Sequence, residues 1–196
     1  MQSRQPQAMP GLSAEVAAGQ AIYTMPMLAA YDFVVHGVCS RLAWKCPTRR
    51  LLRHYDAHVT ANHLDVGVGT GYFLDRCRFP STSPRIALMD LNRNALDFTA
   101  RRIARYRPVA YRRNLLQPIS LDARKFDSVG LGYVLHCVPG SMASKAVAFD
   151  HLKAVMNPGG VLFGSTRPRI GASGPRPDPA DDRRGWRRCR AGCMHP

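Results

Sequence analysis

The sequence predicts an α/β fold: a parallel sheet of about five strands with helices on both faces. Three observations carry this reading. Short apolar runs recur between residues 61 and 166. Stretches with apolar residues at three- and four-residue intervals separate most of them. The first run empties into a glycine-rich turn, Gly67-Val68-Gly69-Thr70-Gly71. Strands alternating with helices imply a parallel sheet covered on both faces, with right-handed crossovers.

The elements follow in chain order. Residues 1–20, rich in Gln, Ser, Pro, Gly and Ala, read as a flexible N-terminus. Residues 21–60 read as helical. Leu28, Tyr31, Val34, Val35, Val38 and Leu42 form one apolar stripe, and Thr24 and Pro26 stand where a helix start would want them. A second helix starts near Pro47 and carries Leu51, Leu52 and Tyr55 on one face. Residues 61–168 form the α/β core. Its expected strands are His63–Val66, Arg85–Met89, Pro108–Tyr111, Ser128–Leu135 and Gly160–Gly164. A helix over 92–106 carries Leu96, Ala100, Ile103 and Tyr106 on one side. Another over 141–156 carries Ala146, Phe149, Leu152 and Met156. From residue 167 onward lie eight Arg, five Pro, four Gly and three Asp, with only Ile170, Trp186 and Met194 as large apolar side chains. Such a stretch cannot build a core, so residues 169–196 are expected to be a disordered tail.

Composition narrows the function classes. A chain of 196 residues that is 45% apolar buries a core without disulfides or a structural metal. No run approaches ~20 apolar residues, and the N-terminus lacks a secretory pattern. A membrane partner, a disulfide scaffold and a fibre are excluded on this reading, and a cytoplasmic location with reduced thiols is expected. The six cysteines show neither paired two-residue spacing nor nearby histidine pairs, so no metal site is expected. Cys137, inside an apolar run, reads as a buried small hydrophobe. The net charge is +15, from 28 Lys and Arg against 13 Asp and Glu. All but four of the basic residues are Arg, the pattern an Arg-rich coding bias gives. They are scattered, and aromatics are not interleaved with them as a stacking platform requires, so nucleic acid is disfavoured as a partner.

The glycine turn carries the strongest chemical signal. A strand feeding Gly67-x-Gly69-x-Gly71 and then a helix gathers backbone N–H groups around one point, and glycines there let a ligand approach the backbone. A tight strand–helix turn without a ligand is the alternative. The dinucleotide fingerprint needs its third glycine three positions after the second, where Tyr72 stands instead. A nicotinamide oxidoreductase is thereby disfavoured. The next strand ends Leu88-Met89-Asp90-Leu91-Asn92, with Asp90 twenty-three residues after Gly67. A carboxylate at that spacing and place suits a pair of adjacent ribose hydroxyls. It also suits an N-cap for the helix beginning near Asn94.

With these motifs the chain resembles the class I S-adenosylmethionine-dependent methyltransferases of the small-molecule type, from about residue 20 to residue 168. The residues that carry the resemblance are Leu64-Asp65-Val66-Gly67-Val68-Gly69-Thr70-Gly71, Asp90, Asn114-Leu115-Leu116, Phe126-Asp127-Ser128-Val129 and Leu152–Phe163 with its Pro158-Gly159-Gly160 turn. The resemblance implies a Rossmann-like core, S-adenosylmethionine as cofactor and a small-molecule substrate. It places Asp65 and Gly67 near the methionine moiety, Gly69 and Gly71 under the nucleoside, and Asp90 on the ribose. Val68, Thr70, Leu91 and Leu115 join the cofactor-binding set. Asn114 stands where the family often has Asp beside the adenine, and its carbonyl can still accept from an adenine amino group. Tyr23 and Tyr31 belong to helices that in similar enzymes form a lid over the active site, although Tyr31's place in the stripe suits core packing. Methyl transfer needs a base only for a protonated nucleophile, and His136, just after the fourth strand, is the candidate catalytic residue, with packing as its alternative. Tyr133 is expected to line the same pocket.

Family members usually continue after the fifth strand with a further helix and two antiparallel strands, which the composition after Pro168 leads one not to expect here. A truncated or frame-shifted end is the expectation, leaving the fifth strand as an exposed edge prone to self-association. The function read from the sequence is methyl transfer to an unidentified small molecule. The alternatives are a catalytically weak cofactor-binding remnant and an RNA-binding or RNA-modifying protein.

Overall fold

A computed structural model describes residues 48–138 and 140–166. The expected stripe helix with Tyr23 and Tyr31, the flexible start and the Arg-rich tail lie outside these residues. In chain order the elements are α1 (Thr48–His58), β1 (Asn62–Val66), α2 (Tyr72–Arg76), β2 (Arg85–Asp90) and α3 (Arg93–Arg102). A single 3-10 turn (Ala104–Tyr106) leads to β3 (Val109–Arg112). Then follow β4 (Phe126–Gly132), α4 (Met142–Lys145), α5 (Val147–Ala154) and β5 (Met156–Ser165).

The five strands form one parallel sheet in the order β3-β2-β1-β4-β5. After β3 the chain crosses back to lay β4 beside β1. The strand order therefore reverses between β1 and β4, and in open α/β sheets the crevice beyond the carboxyl ends at such a reversal is where ligands bind.

Alternation along each strand sorts the core into two layers. Leu64, Val66, Ala87, Met89, Val129 and Leu131 face one way, against Leu115, Ile119 and the α5 residues Ala148 and Leu152. Ile86, Leu88 and Phe163 belong to the other layer, with Tyr55 and Val59 from the α1 side, Leu74 of α2 and Leu96 of α3. Two apolar layers explain why the sequence shows near-continuous apolar strands. α3 is fixed at its start by Asn92, whose side chain accepts from the backbone N–H groups of Asn94 and Ala95. The cap is thus Asn92 rather than Asp90.

Four expectations are corrected. β4 ends at Gly132, not Leu135, because Tyr133 adopts a left-handed backbone (φ 57°) and turns the chain out of the sheet. Cys137 consequently lies in a turn and is exposed rather than buried. The helical stretch over 141–156 breaks into α4 and α5, and its inward stripe is Lys145, Ala148, Leu152 and Val155. Ala146 and Phe149 face outward. Lys145 sets this phase: its stem is buried while Nζ donates to the Leu135 carbonyl at 2.8 Å. β5 also begins earlier than expected, at Met156. Phe126 pairs with Met156 but Ser128 pairs with Val161, so the Asn157–Gly160 stretch bulges out of register.

Leu152→Ala is expected to lower the unfolding free energy by about 2–5 kcal/mol, because it opens a cavity in the first layer. Phe149→Ala should cost less than about 1 kcal/mol. Urea melts of both variants check which face of α5 packs.

Candidate functional site

The turn between β1 and α2 is built by backbone geometry. Gly67 and Gly71 both have positive φ (67° and 70°), a region costly for other residues. A Cβ on Gly67 would collide with the Val134 side chain, and one on Gly71 would come within 2.6 Å of Thr99 Cγ2. The turn is tied down from three sides. Gly67 N–H donates to the Met89 carbonyl at 2.8 Å, Thr99 Oγ1 donates to the Gly69 carbonyl at 3.1 Å, and Arg102 Nη1 donates to the Thr70 carbonyl at 3.2 Å. Arg102 and Arg105 also converge on Asp75, which keeps that carboxyl below its usual range against the effect of burial. Above Gly69 the position of a Cβ is open, with no heavy atom within 4 Å. Because α2 is only five residues long, the cradle comes from the glycine backbone and not from a helix dipole.

Two carboxylates stand at neighbouring strand ends. Asp65, on β1, is buried and accepts a hydrogen bond at Oδ1 from the Tyr55 hydroxyl at 3.0 Å. Burial, with the Asp65 charge adding, holds the Tyr55 phenol well above its ordinary value, so it stays a donor. Asp90 ends β2, and its Oδ1 accepts from the Asn92 N–H at 2.8 Å. Burial pushes Asp90 up to about 6, against the opposing pull of backbone N–H groups from Asn92, Leu91, Val68 and Gly69. Asn114, after β3, accepts from the Leu116 N–H at 3.0 Å, and the second lone pair of its Oδ1 is available for another donor.

One cavity of about 190 Å³ opens over these groups at the carboxyl edge of the sheet. Its lining includes every residue the sequence analysis assigned to the cofactor: Asp65, Gly67, Val68, Gly69, Thr70, Gly71, Asp90, Leu91, Asn114 and Leu115. Tyr133 lines it too, from the turn after β4. His136 is not among the lining residues. It sits exposed on the same turn, its ring edge-on to Tyr133 at 6.1 Å between centroids. Sequence reasoning missed Tyr55, Val134, Arg113 and Leu116 as lining residues. Tyr55 had looked like part of an apolar helix face, and nothing local marks its hydroxyl. Leu116 stood inside the motif Asn114-Leu115-Leu116 and could have been found there.

Gly67→Ala is expected to disorder the turn, raising proteolytic cleavage near residues 67–72 and costing roughly 1–3 kcal/mol. Asp90 gives a pH signature in the ligand-free protein. Folding raises its pKa to about 6, so its contribution to stability is fully present below the ordinary value of 3.8 and is lost as pH rises through about 6. Asp90→Asn should remove that fall. The urea midpoint of the variant relative to wild type should rise between pH 4 and pH 7, and equal pH profiles for the two proteins would refute it.

The chain is similar to known proteins over most of its length. A family model described as a methyltransferase domain matches residues 64–162. The chain is 47% identical over 152 residues to the demethylluteothin O-methyltransferase of Streptomyces thioluteus, covering 78% of this chain and 66% of that one. It is 38% identical over 150 residues to the physcion biosynthesis cluster O-methyltransferase of Aspergillus chevalieri, covering 76% of this chain and 67% of that one. The chain thus spans about two thirds of the length of these relatives. Among solved structures, the N-methyltransferase NodS from Bradyrhizobium japonicum WM9, in complex with S-adenosyl-L-homocysteine, superposes with a TM-score of 0.56 at 20% identity, over 78% of this chain and 73% of that one. That likeness is one of fold. On the strength of the family match and of relatives at these identities, the chain belongs to the methyltransferase domain family.

Proposed function

We propose that the protein binds S-adenosylmethionine in the cavity at the carboxyl edge and transfers its methyl group to a hydroxyl of a small molecule. The observation that carries this reading is convergence. Asp65, Asp90 and the Asn114–Leu115 pair come from the ends of three successive strands and line one hollow. Strand order β1-β2-β3 lays them out in a row. A ligand lying across that row needs a polar end at Asp65, hydroxyls at Asp90 and a flat, mainly apolar end between Leu91 and Leu115.

The residues present fit such a cofactor. Gly69 leaves open space where any side chain would intrude. Asp90 is a carboxylate partly withdrawn from water, and adjacent hydroxyls would give it donors that water no longer supplies. The cofactor supplies an electrophilic methyl on a sulfonium centre. The chain's part is to hold that group against the glycine turn, exclude water and present the acceptor in line. The small-molecule hydroxyl as acceptor is supported by the two relatives, both O-methyltransferases by name. His136 is the residue we assign to proton removal from that hydroxyl, from the turn that also brings Tyr133 and Val134 to the cavity.

Calorimetry with S-adenosylhomocysteine tests the cofactor. Wild type should bind, and Asp90→Ala should bind about 10- to 100-fold more weakly, the worth of hydrogen bonds to a charged acceptor. Equal heats would remove Asp90 from the site. Hydroxyl donors favour the ionised carboxylate, so affinity should be highest above pH 6 and fall as pH drops through about 6. His136→Ala should leave this binding unchanged and lower methyl transfer by about 100-fold or more. Binding without transfer to any phenolic or aliphatic hydroxyl would point to the remnant instead.

A further inference from the structure

Beneath Asp65 lies a buried polar chain that the reading above does not use. His63 and Ser128 are fully buried, and Asp65 is 4% exposed. His63 Nδ1 is 2.8 Å from Ser128 Oγ, and His63 Nε2 is 3.5 Å from Asp65 Oδ1. The imidazole stacks on Phe163 at 5.7 Å between centroids. On the adjacent strand β4, Ser128 stands beside the imidazole and two glycines follow at alternate positions. A Cβ on Gly130 would come within 2.6 Å of Asp65 Oδ1 and 3.2 Å of His63 Nε2, and one on Gly132 within 2.9 Å of the Tyr55 hydroxyl. β4 is therefore bare where β1 and α1 bring a carboxylate, an imidazole and a phenol together.

Proton counting sets the state of the imidazole. Thr60 Oγ1 has one proton and donates it to the Asn62 carbonyl at 3.0 Å. Ser128 Oγ accepts from the Thr60 N–H at 3.0 Å. Ser128's single proton then has two acceptors in reach, His63 Nδ1 at 2.8 Å and Thr60 Oγ1 at 2.9 Å. In the first case Nδ1 accepts, and a neutral ring carries its proton on Nε2. In the second, Nδ1 must donate to Ser128. A bare Nε2 would then aim its lone pair at the Asp65 carboxylate, which is repulsive, so Nε2 must be protonated as well. With Asp65 as a carboxylate, the arrangements without that repulsion put a hydrogen on Nε2, 3.5 Å from Oδ1 and short of a hydrogen bond in the ligand-free protein.

We propose that His63 is a positioning residue for the Asp65 carboxylate: Thr60 and Ser128 hold its Nε2–H toward Oδ1, and with the Tyr55 hydroxyl it fixes Asp65 for the cofactor. Tyr55 and His63 both address Oδ1. Oδ2 takes part in neither contact and is the oxygen left to the ligand. The inference rests on the cofactor reading of the cavity.

The test is a mutant cycle read by S-adenosylhomocysteine calorimetry, together with ¹⁵N NMR of the ligand-free wild type. His63→Phe keeps a flat ring against Phe163 and removes both nitrogens. It should weaken binding about 10-fold, while His63→Gln, which offers an amide N–H in place of the ring's, should stay within about 3-fold of wild type. In an Asp65→Asn background, His63→Phe should add less than about 2-fold, because its effect runs through the carboxylate. An equal loss in both backgrounds, or no loss in either, overturns the proposal. The ¹⁵N spectrum should show His63 protonated at Nε2. A ring protonated only at Nδ1 overturns the proposal even if no variant folds. A wild type that takes up no S-adenosylhomocysteine overturns the cofactor reading and this role with it, whereas an Nδ1-only spectrum with intact binding overturns the role alone.

Discussion

A carboxylate inside the sheet layer is the constraint on which the rest depends. Taking Asp65 out of water costs several kcal/mol unless neighbouring groups answer it. The fold answers with a hydroxyl donated from α1 and with space from two glycines on β4, and it stands an imidazole 3.5 Å away on β1. The constraint propagates. Tyr55 has to lie over β1, so α1 is docked where Leu51, and Val59 just beyond its end, also find cover. Its ring stacks on Phe73 at 5.0 Å, which ties α1 to the helix that follows the glycine turn. A charge that would otherwise destabilise the sheet thereby locks α1, β1, α2 and β4 to one another.

The second carboxylate is treated differently. Asp90 has backbone N–H groups around it from its own strand end and from the glycine turn. Those donors do not cancel its loss of water, so the group stays raised in pKa. Asp65 is held by the Tyr55 hydroxyl at Oδ1, while Asp90 is met by backbone N–H groups alone.

Much of this was legible from residue order alone, and the reason is locality. The glycine turn, Asp90 and Asn114 each sit at the end of their own strand, so parallel topology carries them to one edge whatever the details of packing. Strand periodicity likewise located all five strands. What escaped depended on partners distant in the chain. His63 looked like an ordinary strand residue because Ser128 lies sixty-five positions away. The inward stripe of the 141–156 stretch differs from the expected one because Lys145 finds an acceptor in a turn whose position depends on where β4 stops. That stop is itself a backbone event at Tyr133, a residue type that seldom announces a left-handed turn.

The same distinction separates the two halves of the cavity. The half built by β1, β2 and β3 uses backbone geometry and strand-end residues, which short local motifs encode. The opposite wall comes from the Tyr133–Val138 turn, whose side chains are placed by the way the chain leaves β4. This wall meets the glycine turn through Val134, which fills the space a Cβ on Gly67 would need. Val134 is thus the hinge between the two halves. A larger side chain at that position would press on the turn that cradles the cofactor, and a smaller one would loosen it.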